Sequence, residues 1–125
     1  MTRGSPQQVS TEQLVEQFIV ISIQQDETLR NDDTEGHNRL FDRLETLEPE
    51  LRTRVGDQRS ALVRLYDYPN AQVRLNAAMA TLEVAPQAAR RMLEIIRRSR
   101  EYPQATDAGM AINALDREAS ESPKR

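Results

Sequence analysis

Asn70-Ala71-Gln72-Val73-Arg74-Leu75-Asn76-Ala77-Ala78-Met79-Ala80-Thr81-Leu82-Glu83-Val84 carries more information about architecture than any other stretch of this sequence. At about 100° per residue, Val73, Ala77, Ala80 and Val84 fall on one side of a helix and Leu75, Ala78, Met79 and Leu82 on the other. Only two narrow polar edges remain, Arg74 with Thr81 and Asn76 with Glu83. A helix that is apolar on two sides must lie between two layers of neighbours. Its small alanines let those neighbours approach closely.

The segment after Pro86 is different in kind. Ala88, Ala89, Met92, Leu93, Ile95 and Ile96 form one apolar arc, opposite Arg90, Arg91, Glu94, Arg97 and Arg98. That pattern predicts an outer helix with one side in water. The turn ahead of the first segment, Tyr68-Pro69-Asn70-Ala71, returns as Tyr102-Pro103-Gln104-Ala105. Each copy leads into an alanine-rich helix, ending near Leu82 and Leu115. A repeat of this length, with inner and outer helices alternating, predicts stacked helical pairs that cannot bury their apolar faces singly.

Toward the N-terminus, Ser10 and Gln13 have the spacing of a capping box, so a helix is expected to begin there. It carries Leu14, Phe18 and Ile21 on one stripe, with Val15 and Ile19 beside it. The run Phe18-Ile19-Val20-Ile21-Ser22-Ile23 is β-branched enough to pass for a strand; the capping signal favours a buried helix. Asp32, Asp33 and Glu35 suit the positive end of a second helix, whose stripe Leu40, Phe41, Leu44 and Leu47 runs up to Pro49. Gly36 weakens its first turn. After Gly56-Asp57 a third helix is expected, bearing Leu62, Leu65 and Tyr66. Pro6, Pro49, Gly56, Pro69, Pro86, Pro103 and Pro123 lie at or near the expected breaks, giving about six helical segments.

Pro69-Asn70-Ala71-Gln72-Val73-Arg74, followed by Ala77-Ala78 and Leu82, resembles the second helix of a HEAT repeat: a turn proline, a valine-arginine pair, paired alanines and a closing leucine. From Leu14 to Leu115, and above all in Asp57-Gln58-Arg59-Ser60-Ala61-Leu62 and Asp107-Ala108-Gly109-Met110, the chain is similar to a bacterial HEAT-like family. That family is catalogued as a domain of unknown function, number two thousand and nineteen. The resemblance implies an all-α fold and brings no catalytic residues. For Arg74 it implies a structural role, with contacts to Asp67 or to backbone carbonyls of neighbouring repeats. In the second copy Asp107 and Ala108 stand where valine and arginine are expected, which suits a degenerate capping repeat. The expected fold is therefore all-α, a short HEAT-like helical-repeat solenoid of about three helix pairs over residues 10–117. Disordered tails are expected at 1–9 and 118–125.

Composition narrows the function classes. A chain of 125 residues suits one domain with a modest core. The absence of cysteine excludes a disulfide framework, a thiolate metal site and a cysteine nucleophile. No apolar leader opens the chain, and Phe18 to Ile21 is far too short to cross a bilayer, so a cytoplasmic protein is expected. The net charge is −3, unevenly spread. Residues 10 to 50 hold eleven acidic side chains against Arg30, Arg39 and Arg43, whereas residues 51 to 125 hold thirteen basic against nine acidic. An acidic first third repels a phosphate backbone, which disfavours nucleic acid, and steers a basic partner to the N-terminal half.

His37, near Asp32, Asp33 and Glu35, invites a metal or acid-base interpretation. The spacing matches neither a zinc motif nor a calcium loop, and acids at a helix start are commoner as caps. No nucleophile signature or phosphate loop is present, so no enzyme activity, catalytic residue, metal or cofactor is expected. Arg90, Arg91, Arg97 and Arg98 form a basic face, within reach of Glu94 for neutralisation. Tyr68 and Tyr102, at equivalent turns, serve to staple helices or, if exposed, to anchor a partner. The expected partner-binding residues are Asp32, Asp33, Glu35, Tyr68, Arg74, Tyr102, Arg90, Arg97 and Arg98. The expected function is non-catalytic protein binding, most specifically as an immunity or antitoxin-like protein that blocks a basic bacterial toxin or enzyme. The alternative is a nucleic-acid-binding domain using the face from Arg90 to Arg100.

Overall fold

Ser10 opens the first helix as its spacing predicts: its hydroxyl accepts from Gln13 N–H at 3.0 Å, and Gln13 Oε1 accepts from Ser10 N–H at 2.9 Å. From this cap, α1 runs over Thr11–Arg30, so the β-branched run is helical. The structure, a computed structural model, describes residues 9–121. Among them α1 is followed by α2 (Thr34–Arg52), a 3-10 helix (Gln58–Asp67), α3 (Ala71–Ala80), α4 (Pro86–Arg98) and α5 (Gln104–Glu121). No strand occurs among the described residues, and the fold is all-α. Residues 1–8 and 122–125 of the two expected tails lie outside the described residues. Val9 packs partly buried on the core, and α5 continues to Glu121, beyond residue 117 where the helical domain was expected to end.

Three local departures from the expected pattern have physical causes. Pro49 does not end the second helix but lies inside it. Its missing N–H removes one helical bond, yet Leu51, fully buried, fastens the last turn, and Pro49 O accepts from both Thr53 N–H and Thr53 Oγ1. The third helix is 3-10 rather than α. Arg59, Leu62 and Leu65 are all buried, and their spacing of three matches the three residues per turn of that helix. The α3 helix stops at Ala80. Thr81 Oγ1 folds back to Ala77 O at 2.8 Å, and Val84 and Ala85 donate to Thr81 O in a turn that leads to Pro86, the first residue of α4.

The core lies on both sides of α3. Val73 and Ala77 pack into one cluster with Leu14, Phe18 and Ile21 of α1, Leu47 and Leu51 of α2, and Leu62 and Leu65. Leu75 and Ala78 pack into a second cluster with Met92, Leu93 and Ile96 of α4 and Ala108 and Ile112 of α5. The two-sided character of this helix is therefore observed, and Tyr66 touches both clusters. Met79, expected on the second flank, is instead 45% exposed.

A buried polar seam crosses the same region. Asn76 Nδ2 donates to Ser22 Oγ at 2.8 Å and to Gln25 Oε1 at 2.7 Å, joining α3 to α1. Gln72 Nε2 donates to Asn76 Oδ1 at 3.0 Å, and Gln104 of α5 donates to Gln72. At the seam's end Asp26 accepts from Asn70 at 3.2 Å and Arg30 at 2.6 Å. The expected polar edge at Asn76 is thus an internal tie between helices.

Candidate functional site

The acidic residues that the sequence singles out near the N-terminus open α2. Asp33 is its N-cap and accepts from Gly36 N–H at 2.9 Å. A Cβ at position 36 would run into that carboxylate, so Gly36 permits the cap instead of merely weakening the turn. Asp32 takes a left-handed conformation at φ 56°, and Glu35 is exposed in the first helical turn. His37 is half-buried, with Nδ1 3.2 Å from Thr28 Oγ1. Among the described residues, no cluster of three or more histidine and carboxylate side chains is placed to hold a metal ion.

Three arginines of the basic face are paired with carboxylates of their own chain, whereas Arg91 and Arg100 make no ion pair among the described residues. Arg90 pairs with Asp116 at 2.8 Å, and that hydrogen bond holds the Asp116 carboxyl below its usual range. Glu94 takes Arg97 at 2.7 Å and Arg98 at 4.0 Å. Arg74 donates to Pro69 O at 3.2 Å and to Glu101 at 2.9 Å, so its carboxylate partner is Glu101 where Asp67 was one expectation. Its Nε is buried without a hydrogen bond. It borders an open cavity of about 500 Å³ with Tyr66, Tyr68, Arg91, Met92 and Ile95. The two turn tyrosines part company: Tyr68 is partly buried against the first core cluster, whereas Tyr102 is 68% exposed. No hydrogen bond or ion pair joins the arginine face to Asp32, Asp33 or Glu35 among the described residues.

A second groove, between α2 and α3, has a volume of about 420 Å³. Its floor is apolar, made by buried Phe18 and half-buried Leu44, Ala80 and Leu82. Phe41 and Met79 form its lips, half-exposed at 50% and 45%. Glu45, Glu48 and Glu83 line the same groove. Arg59, the one arginine lining it, is buried and held by Glu48 at 2.8 Å, Glu83 at 2.7 Å and Asp57 at 2.6 Å. The Asp57 and Glu83 hydrogen bonds bind its proton more tightly, and Arg59 in turn holds the Asp57 carboxyl below its usual range. Glu45, and Asp42 beside Phe41, make no ion pair among the described residues.

None of the groove residues is among the nine expected partner-binding residues, although Glu45 and Glu48 lie in the acidic first third that was expected to steer a basic partner. The available signals were the placement of Phe41 on the α2 stripe and the three-residue spacing that buries Arg59. Met79 gave none, since its place on an apolar flank reads as core.

An all-helical chain with an acid-rimmed apolar groove is the class that fold and geometry define. The chain belongs to the family described as a domain of unknown function (DUF2019), whose model matches residues 12–116. It is similar to a protein of known crystal structure, RPA1889 from Rhodopseudomonas palustris CGA009, at 43% identity and a TM-score of 0.89. The likeness covers 98% of this chain and 100% of that one. No curated protein matches the sequence. Among the described residues, no helix is long and apolar enough to cross a membrane.

Proposed function

We propose that this chain is a non-catalytic protein-binding module whose acidic α1–α2 half captures a basic surface of another protein. The observation that carries the proposal is a contrast in pairing. Arg90, Arg97 and Arg98 are engaged by Asp116 and Glu94, leaving Arg91 and Arg100 outside these pairs, whereas Asp42 and Glu45 of α2 face solvent without an ion pair among the described residues. Unneutralised carboxylates set a negative field that speeds encounter with a cationic partner. The same pairing gives less support to nucleic-acid binding through Arg90, Arg97 and Arg98.

The most specific form of the proposal is an immunity or antitoxin-like protein that covers a basic toxin in the cytoplasm. The layered placement of α3 is in keeping with a short HEAT-like solenoid, in which inner helices offer surface for docking. Co-expression with the product of the neighbouring gene tests the function. Co-purification of the two, weakened by added salt, together with protection of the cell is the expected result. Failure on both counts, or a gel shift of nucleic acid at low salt, would overturn it.

A further inference from the structure

We infer that the α2–α3 groove receives a short basic amphipathic helix of the partner, its apolar side chains seated between Phe41 and Met79 and its lysines or arginines meeting Glu45, Glu48 and Glu83. This rests on the protein-binding proposal above and names the occupant. Half-exposed Phe41 and Met79 flank a floor that is already apolar, so a partner's aliphatic side chains would remove both from water. In the groove lining Glu45, Glu48 and Glu83 outnumber Arg59, which is engaged within the chain; Arg52 approaches Glu48 at 3.6 Å from outside the lining, and Glu45 has no ion pair among the described residues. An acidic occupant would therefore meet repulsion, and a basic one complementarity.

The backbone selects a helix over an extended peptide. Both long walls are helices whose N–H and C=O groups are used internally, and no strand edge borders the groove. An extended segment would lay its own unpaired backbone groups over an apolar floor, at a cost a helix avoids. From Phe41 to Glu48 the α2 wall spans about two turns, which suits two or three anchors on one helical face, the helix-in-groove mode.

The test measures affinity of the full chain for three synthetic peptides of about four turns: a Leu/Lys amphipathic helix, its scrambled isomer of equal charge, and a Leu/Glu counterpart. The Leu/Lys helix is expected to bind at least about tenfold more tightly than either other peptide. Phe41→Ser, Met79→Ser and Glu45→Lys should each weaken it about tenfold, with helical content checked by circular dichroism. Should a serine variant fail to fold, Glu45→Lys alters an exposed, unpaired side chain and keeps the test decisive.

Equal binding of the scrambled isomer, or unchanged affinity in the groove variants, would overturn the inference. If affinity fell only on Asp42→Lys with Glu50→Lys, which lie on α2 outside the groove lining, the acidic-face proposal would stand without the groove. No binding by any basic peptide would count against both. Concentration-dependent dimerisation broken by Phe41→Ser would assign the groove to a second copy of the chain and overturn the inference as well.

Discussion

Gln104 Nε2 donates to Gln72 Oε1 at 2.9 Å, and both side chains are buried, so α5 is tied to α3 by an amide pair away from water. Gln72 in turn donates to Asn76, which reaches α1 through Ser22 and Gln25. Gln72→Leu removes the link, leaving the Asn76 carbonyl without its donor and the Gln104 amide with only a long contact to Asp26 at 3.5 Å. A buried polar group left unmatched costs about 2 kcal/mol, and urea unfolding should show a loss of that order. Because replacing both partners by apolar groups avoids the orphan, Gln72→Leu with Gln104→Leu should recover part of the loss. Strict additivity of the two changes would dispose of the tie.

Arg59 makes a second internal connection, from the 3-10 helix to Glu48 of α2 and to Glu83 beyond α3. Its side chain is 7% exposed. Arg59→Met keeps the apolar stem and leaves the three carboxylates facing one another. The loss in urea should stay below the roughly 3 kcal/mol at which broken buried pairs begin, because Glu48 and Asp57 keep about a third of their side chains in water and Glu83 three-quarters. The pH dependence has a defined sign. Asp57 is held below its usual range by the Arg59 hydrogen bond, so its contribution is present above an unfolded-state value of about 3.9. It is lost as pH falls through the lower folded value. The acid limb of the wild-type stability curve should flatten in Arg59→Met, and an unchanged limb would refute this account.

The helices were legible where one local signal sufficed. Ser10 with Gln13 located the start of α1 against a run with strand propensity, because two reciprocal hydrogen bonds need only residues three apart. The alanines and paired apolar flanks of α3 told of neighbours on both sides. Pro49 misled, since its cost is local while the compensation, burial of Leu51 against the core, is tertiary. The 3-10 segment was hidden for a related reason: Leu62 and Leu65 suit either helix, and only the burial of Arg59 selects a period of three.

The candidate groove was less legible than the fold. Phe41 and Met79 each sit on an apolar stripe, and nothing within either helix says which member of a stripe is left uncovered. That depends on α2 and α3 each packing on α1 and the 3-10 helix far more than on each other. The acidic residues at 32–35 attracted attention by crowding in sequence, yet Asp33 serves to start α2 and caps its first turn.

Asp107 offers a test at the start of α5. Burial pushes its carboxyl up, and the charge of nearby His37 acts in the opposite direction. A raised folded-state value means that the folded chain holds this proton more tightly than the unfolded one. The associated stability is present below about pH 3.9 and lost as pH rises through the folded value. Asp107→Asn should therefore be more stable than the wild type at neutral pH, with the difference shrinking as pH falls toward 4. Thermal melts across that interval check it; a difference that ignores pH, or grows toward acid, would contradict the assignment.

The placement of α3 makes the sharpest demand on packing. Ala77 is fully buried among α1 and α2 side chains, whereas Met79, two positions on, is 45% exposed at the lip of the groove. A close approach between α3 and its neighbours leaves no room for a larger side chain at 77. Ala77→Leu should destabilise by about 2 kcal/mol through overpacking, even though leucine is more apolar and nearly as good a helix former. Met79→Ala, which removes a larger side chain, should cost less than about 1 kcal/mol because much of it is already in water. The order of these two effects is opposite to what hydrophobicity alone predicts. Measured side by side in urea, a smaller loss for Ala77→Leu than for Met79→Ala would show that α3 is not tightly enclosed on its α1 side.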